Sequence, residues 1–519
     1  MSDNISIGSD ATNVEEYPHY ITSQDEYNDL LDFLRLALCF DHEKISEVYF
    51  KTFYESANYP EWMNLFETRS SWDTFKFAQL LYRLQENDDG MVKILNDAPH
   101  EHQFAICTNT NTALEKSVTN RNETPYAIEF MKILTHFIQV KGADSGADAR
   151  KETLTHISSC IELHQRLFSG GMRGLQASPD SAMCLGMFME NHFMYSEAKM
   201  LYEWAVHARG LNHMLSWDSV NALAGIQNQL GNYSTAVELL NLLVRDQEQT
   251  LGAQHPAIMQ ALENLANAYC NQGQYDRSKN IYHRILELIP LNAPPSARHL
   301  TQGNLGILYC FQGKFDMAEQ LFRRICAEQE HQQESMSDNV LAAKHNLATL
   351  CLERGKIAEA SIIFHEMLQI LTDGFEHRNP KVFKIRRSLA LMYSGQNKKV
   401  LARAMLEMVR TDQQKTLGKY HPDTLGTIDA LACFLADERQ YDEAKVLFDE
   451  VLGCSEQARG PKHPYTLSMK FHLANMYQAQ NLLREAEHLY REVWQARDEI
   501  LGREHPATRI AKECLDRYA

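Results

Sequence analysis

The chain is 519 residues long, 44% of them hydrophobic and 23% charged, with a formal net charge of −17. That length allows more than one domain, and the balance is that of an ordinary soluble globular protein. The acidic excess argues against a nucleic-acid or anionic-membrane surface, since both require concentrated Lys and Arg. Residues 1–21, rich in Ser, Asn and Asp and without periodicity, are expected to form a disordered acidic tail.

From Ser23 the texture changes. Tyr27, Leu30, Leu31, Leu34 and Leu38 recur at helical spacing across Gln24–Leu38. Further helices are expected at about 43–56, 59–68, 72–85, 88–96 and 99–107, giving a compact helical bundle over residues 22–107. Within it, Leu65-Phe66-Glu67-Thr68-Arg69 precedes Trp72, and Phe75 to Gln85 precedes Asp88 and Met91-Val92-Lys93-Ile94-Leu95. That order resembles a death-fold domain of the death-effector subgroup, and the resemblance implies homotypic assembly. The segment Arg83-Leu84-Gln85-Glu86-Asn87-Asp88-Asp89 departs from the subgroup's Arg-x-Asp-Leu pattern. The alternatives are an unrelated helical bundle or divergent repeats.

Residues 108–179 form a connector or a degenerate repeat. A polar loop at 108–124 leads to a helix at Tyr126–Val140, whose buried residues are expected to be Ile128, Phe130, Met131, Ile133, Leu134, Phe137 and Ile138. Gly142–Ala147 breaks it, and a second helix spans Thr153–Phe168.

Residues 180–505 repeat. A small residue falls at Gly186, Ala224, Ala266, Gly306, Ala348, Ala390, Ala432 and Ala474, the last four steps being 42 residues each. Twelve positions after each comes a second small residue: Ala198, Ala236, Ser278, Ala318, Ala360, Ala402, Ala444 and Ala486. Between them lies a turn, often with Gly, followed by an aromatic or aliphatic residue. Two antiparallel helices whose backbones approach through those small residues satisfy this pattern, with Gly capping the first helix. Such pairs cannot bury their apolar faces alone and stack into a solenoid. A phrase joins units, as in Leu251-Gly252-Ala253-Gln254-His255-Pro256, Leu417-Gly418-Lys419-Tyr420-His421-Pro422 and Leu501-Gly502-Arg503-Glu504-His505-Pro506, with Gly460-Pro461-Lys462-His463-Pro464 a variant. Gly ends one helix and Pro starts the next; each histidine is one turn residue per unit, not a metal ligand. These residues match the tetratricopeptide repeat, and the long period resembles kinesin light chains and nephrocystin-like proteins. The expected fold is all-α: a right-handed α-solenoid of about eight repeats preceded by a small helical bundle. In the sixth repeat Asn397 and Lys399 replace Gly and the aromatic, so weaker packing is expected there. Residues 506–519 supply a polar capping helix.

The sequence offers no catalytic, cofactor or metal motif. It has no phosphate loop, no His-Glu-x-x-His and no Gly-x-Ser-x-Gly elbow. The 11 cysteines contain no Cys-x-x-Cys pair, and with no signal peptide or apolar run of membrane length they suggest a reducing cytoplasm. What remains is binding. In such solenoids the first helices line a groove, and the positions two before and one after the small residue face it. These are Asn264, Asn267, Asn304, Asn346, Thr349, Ser388, His472 and Asn475; one position earlier stand Glu263, His345, Arg387 and Phe471, with Lys384 a turn before. Amide side chains offer donors and an acceptor to an extended peptide backbone, and Lys384, Arg386 and Arg387 suit acidic residues on it. The resemblance implies peptide recognition; the same asparagines could instead bond locally along the repeat ladder. The reading is therefore a non-enzymatic protein-interaction adaptor. The head implies assembly in apoptotic or innate-immune signalling, and the alternative is a kinesin-light-chain-like cargo or scaffold adaptor.

Overall fold

The computed structural model describes residues 24–40, 44–55, 59–68, 71–86, 92–98, 101–106, 124–141, 147–168, 179–210, 214–290, 292–294, 296–330, 337–374 and 380–518. The expected tail at 1–21 and nearly all of the loop at 108–124 lie outside them. The chain divides into two compact units. One ends at Phe188 and includes His207–Arg209; the other comprises Met189–Val206 and Gly210–Ala519.

The first unit is built on α1 (Gln24–Ala37), α2 (Glu47–Tyr54), α3 (Thr74–Glu86), α4 (Thr124–Lys141) and α5 (Ala147–Phe168). Its core is aromatic. Phe33 of α1 lies 5.3 Å, centroid to centroid, from both Phe50 and Phe66, and 5.8 Å from Phe77. Phe130, Met131, Ile133, Leu134 and Phe137 of α4 are buried as expected, while Ile128 and Ile138 are half-buried.

Three expected helices are not found. Residues 59–68 form a 3-10 turn at Glu61–Phe66 and a short strand β2 (Glu67–Thr68) that pairs with β3 (Ser71–Trp72). The stretches at 88–96 and 99–107 hold strands β4 (Val92–Ala98) and β5 (Glu101–Ile106), an antiparallel hairpin that also pairs with β1 (Ile45–Ser46) in the order β1-β5-β4. Val92, His102 and Phe104 are buried while Lys93 is exposed, the alternation of a strand with one covered face. Glu47, itself buried, ties the hairpin down: it accepts from the His102 backbone N–H at 3.2 Å and from the Trp72 indole at 2.8 Å. A three-stranded sheet is not part of a six-helix death fold, and the resemblance at 22–107 finds no support in the structure.

From α6 (Pro179–Asn191) onward the described residues are a run of helices, packed as pairs from the third of them on. They continue as α7 (Tyr195–Arg209), α8 (Trp217–Gln229), α9 (Tyr233–Leu251), α10 (Met259–Asn271), α11 (Tyr275–Leu288), α12 (Ser296–Phe311) and α13 (Phe315–Glu330). Then come α14 (Asp338–Glu353), α15 (Ile357–Gly374), α16 (Pro380–Gly395), α17 (Lys399–Thr416), α18 (Pro422–Asp437), α19 (Tyr441–Arg459), α20 (Pro464–Ala479), α21 (Leu483–Leu501) and the final α22 (Pro506–Leu515). The chain is predominantly helical, an α-solenoid.

The small residues do what their size allows. From Ala224 to Ala486 every one is buried. A Cβ on Gly306 would stand 2.6 Å from the Phe322 ring of the paired helix, and the Ser278 hydroxyl donates to the Ala266 carbonyl at 2.8 Å. Each first helix ends with the same double hydrogen bond, for example Gly273 N to Cys270 O and Gln274 N to Tyr269 O, the capping geometry that demands a left-handed residue. Successive first helices pack directly on one another, whereas successive second helices reach each other through long ion pairs such as Arg403–Glu443 and Arg410–Glu450. The first helices therefore lie on the inside of the curve.

The His-Pro phrases have a second use. His255, His421, His463 and His505 each cap the following helix, the ring Nδ1 accepting from the backbone N–H two residues on. His463 Nε2 also donates to the Gln229 carbonyl at 2.6 Å, 234 residues away. His421 packs edge-on against Phe193, ring centroids 4.3 Å apart. A Cβ on Gly231 would meet Pro464 at 2.5 Å, and one on Gly273 would meet His505 at 2.9 Å. Junctions late in the solenoid thus seat on turns early in it: the superhelix closes on itself turn against turn.

Candidate binding groove

The residues expected to face the groove fall into four groups. The first group is a ladder between repeats, in which the residue three before one small landmark bonds the residue two before the next. Asn264 Nδ2 donates to Asn221 Oδ1 at 2.9 Å, His345 Nε2 lies 3.0 Å from Ser388 Oγ, and His472 Nδ1 lies 3.0 Å from both carboxylate oxygens of Asp429. Asn264, His345 and His472 therefore hold neighbouring repeats in register. Burial, with Arg387 and Lys384 nearby, pushes the His345 imidazole down to about 4, so it is neutral at physiological pH.

Asn267 and Asn475 form the second group. The Tyr282 hydroxyl donates to Asn267 Oδ1 at 2.5 Å, and the Tyr490 hydroxyl donates to Asn475 Oδ1 at 2.6 Å. With the oxygen taken by the paired second helix, the Nδ2 hydrogens are the donors left to an incoming ligand. Third, Lys384 is exposed and lies 3.6 Å from Asp423, a weak pair open to exchange.

Asn304, Asn346 and Arg387 make up the last group. No ladder bond joins them to a neighbouring repeat among the described residues, and the cause is local. Gly303 stands where Asn346 would need a side-chain partner, and Glu263, which would serve Asn304, instead accepts from the Thr301 hydroxyl at 2.6 Å. Ala430 stands where Arg387 would bond. Arg387 instead lies across Gly426, where a Cβ would come within 2.6 Å of its Nη1 and 3.3 Å of the Tyr465 hydroxyl. That hydroxyl is buried and has no hydrogen-bond partner among the described residues. The ladder is thus interrupted between repeats three and five and again between six and seven, with the His345–Ser388 rung between five and six intact, and amide, guanidinium and phenol groups remain at the gaps.

A cleft of about 430 Å³ opens beside Asn264, lined by Pro256, Gln260, Glu263, Leu300 and Thr301. Burial raises the Glu263 carboxyl above its usual range. Between repeats seven and eight Asp429, Cys433 and His472 bring one ligand atom each to within 4.8 Å of one another. Asp429, Cys433 and Tyr465 were not picked out by sequence reasoning. Asp429 and Cys433 stand in two of the three rows that the other groove residues occupy, three before and one after the landmark, so the row pattern held the signal; Tyr465 follows a His-Pro phrase and carried none.

This geometry defines a class: a helix-pair repeat scaffold with a polar inner face. The tetratricopeptide-repeat family model matches residues 215–290, 257–327 and 424–499. Among curated proteins none matches the chain. Among solved structures, the nearly identical TPR-like repeats of a protein assigned as a kinesin light chain in Podosopora anserina are 26% identical, with 40% of this chain and 98% of that chain covered and a TM-score of 0.32. BtubC (BKLC) from P. vanneervenii is 18% identical, covering 45% and 92%, TM-score 0.35. The apo quorum sensor NprR from B. thuringiensis is 14% identical, covering 65% and 89%, TM-score 0.42. No TM-score here reaches 0.5, and the repeat assignment rests on the family-model match and the helix pairs themselves. No helix among the described residues is long and apolar enough to cross a membrane.

Proposed function

We propose that the chain is a non-enzymatic protein-interaction adaptor whose inner face takes an extended, acidic peptide across repeats four to six. The observation that carries this reading is the interrupted ladder: Asn304, Asn346 and Arg387 make no hydrogen bond to a neighbouring repeat among the described residues. Asparagine amides one repeat apart suit a peptide backbone, and Arg387 beside the buried Tyr465 hydroxyl suits a carboxylate, which a guanidinium can grip with two parallel bonds. Lys384 adds a second cation once it leaves Asp423, and Asn267 and Asn475 offer donors at either side of the span. Tetratricopeptide repeats as a class mediate protein–protein contacts, which agrees with this use.

A cytoplasmic scaffold or cargo adaptor of kinesin-light-chain type is the pathway reading that the repeat period favours. Assembly through residues 22–107 in apoptotic or innate-immune signalling has less support, because the sheet of β1, β4 and β5 takes the place of the expected helices.

The test is binding of peptides selected by the intact chain to point variants. Arg387→Ala is expected to weaken an acidic peptide by about 1.5–3 kcal/mol, the worth of a charged hydrogen bond, and Asn304→Ala and Asn346→Ala by less. Asn264→Ala should lower stability and leave affinity nearly intact. Equal affinity in all four variants would refute the assignment.

A further inference from the structure

We infer that Asp429, Cys433 and His472 form a site for one borderline-soft divalent cation, zinc above all, between repeats seven and eight. The three side chains come from two adjacent first helices: Asp429 and Cys433 from one face of α18, one turn apart, and His472 from α20. Their ligand atoms lie within 4.8 Å of one another, and no other such mixed group of three occurs among the described residues.

The donor set selects the ion. Sulfur, imidazole nitrogen and one carboxylate oxygen are a zinc set; calcium and magnesium require oxygen. The distances agree. His472 Nδ1 and the Asp429 carboxylate are 3.0 Å apart, and an ion at about 2.0–2.1 Å from each fits between two atoms at that separation. Binding replaces the proton that Nδ1 shares with Asp429, and the ring then carries its hydrogen on Nε2. Cys433 closes the third side as thiolate with a small rotation of its side chain, releasing its proton to solvent. The charges balance: a carboxylate and a thiolate against a dication, with a neutral imidazole.

Asp429 is well covered while His472 is 37% exposed, so the fourth position of a tetrahedral site opens towards the groove. Three protein ligands with one open position is the arrangement that leaves a metal able to take water or a side chain of a bound partner. The site would clamp α18 to α20 at the rung where the ladder already joins them. It stands apart from the peptide reading, since it uses none of the residues of repeats four to six.

Cobalt(II) added to the intact, reduced chain tests it. One equivalent should bind with a thiolate-to-cobalt charge-transfer band and be displaced by zinc. Cys433→Ser should abolish the band, and His472→Gln and Asp429→Asn should each weaken affinity at least about tenfold. Cys433→Ser, which touches no rung of the ladder, should match the parent in circular dichroism and in metal-free thermal unfolding, so that loss of metal is not loss of fold; His472→Gln and Asp429→Asn, which also alter the rung, should match it in circular dichroism. Absence of the band overturns the site, as does a band that survives Cys433→Ser, which would place the metal on other cysteines.

Discussion

Seven residues after each small landmark the backbone turns left-handed, whatever side chain stands there. Gly231, Gly273, Gly313 and Gly355 have φ between 70° and 79°, and Phe193, Asn397, Arg439 and Asn481 have φ of 61° to 63°. The double hydrogen bond that ends each first helix imposes the conformation. For an L-residue it costs roughly 1–2 kcal/mol, partly offset because glycine loses more chain entropy on folding. Arg439→Gly should therefore raise unfolding free energy by about 0.5–1 kcal/mol, read from the denaturant midpoint. Gly231 (φ 79°) and Gly313 (φ 70°) share the left-handed turn but differ in surroundings: a Cβ at Gly313 meets no described residue within 4 Å, while one at Gly231 strikes Pro464. Gly231→Ala is expected to cost at least about 1 kcal/mol more than Gly313→Ala, the penalty of overpacking. Equal losses would mean the early and late turns do not touch. The glycine turns were legible because glycine marks them; Arg439 and Phe193 were not, since nothing local distinguishes a forced left-handed residue.

At the scale of elements, the helix pairs were legible because period, small-residue spacing and His-Pro punctuation agree. The hairpin β4–β5 was not, for short apolar runs such as Val92–Leu95 suit helix and strand alike. Pro99, which disfavours helix in the residue before it, was the available warning. Along the outer helices, charge ladders link repeats. Glu319 of α13 accepts from Arg354 at 2.8 Å and from Lys356 at 2.8 Å, both in the next repeat, and from Arg323. The lysine and arginine bonds pull its carboxyl down to about 2. Because the folded value lies below the unfolded one, this stabilisation is present above about pH 4.5 and is lost as pH falls towards 2. Glu319→Gln should lower stability at neutral pH, and its difference from the parent should shrink steadily through that window in acid-denaturation curves.

Over the whole solenoid, the turn-on-turn contact depends on the sum of small rotations between repeats, and no single residue announces it. It rests on neutral histidines. His463 uses Nδ1 as acceptor and Nε2–H as donor at once, which only one neutral tautomer allows. Burial and Arg459 hold it near 4; burial also lowers His421, which faces Asp423, Lys384 and Arg459, and His505, which faces Arg497. A histidine depressed in the fold stabilises above its unfolded value of about 6.5 and less as pH falls below it. Acidification from pH 7 to 4.5 is therefore expected to open the superhelix before the helices melt: small-angle scattering should show a larger radius of gyration at unchanged helical ellipticity. His463→Gln, which can donate to Gln229 but does not titrate, should reduce the response.

The groove was legible as a set of rows, and only the structure separates ladder residues from those left for a ligand. Hydrogen–deuterium exchange of the intact chain, with and without a selected acidic peptide, tests that separation most directly. The account predicts slower exchange in the first helices at Ser296–Phe311, Asp338–Glu353 and Pro380–Gly395. Protection confined to their outer partners, Phe315–Glu330 and Ile357–Gly374, or to residues before Phe188, would contradict it.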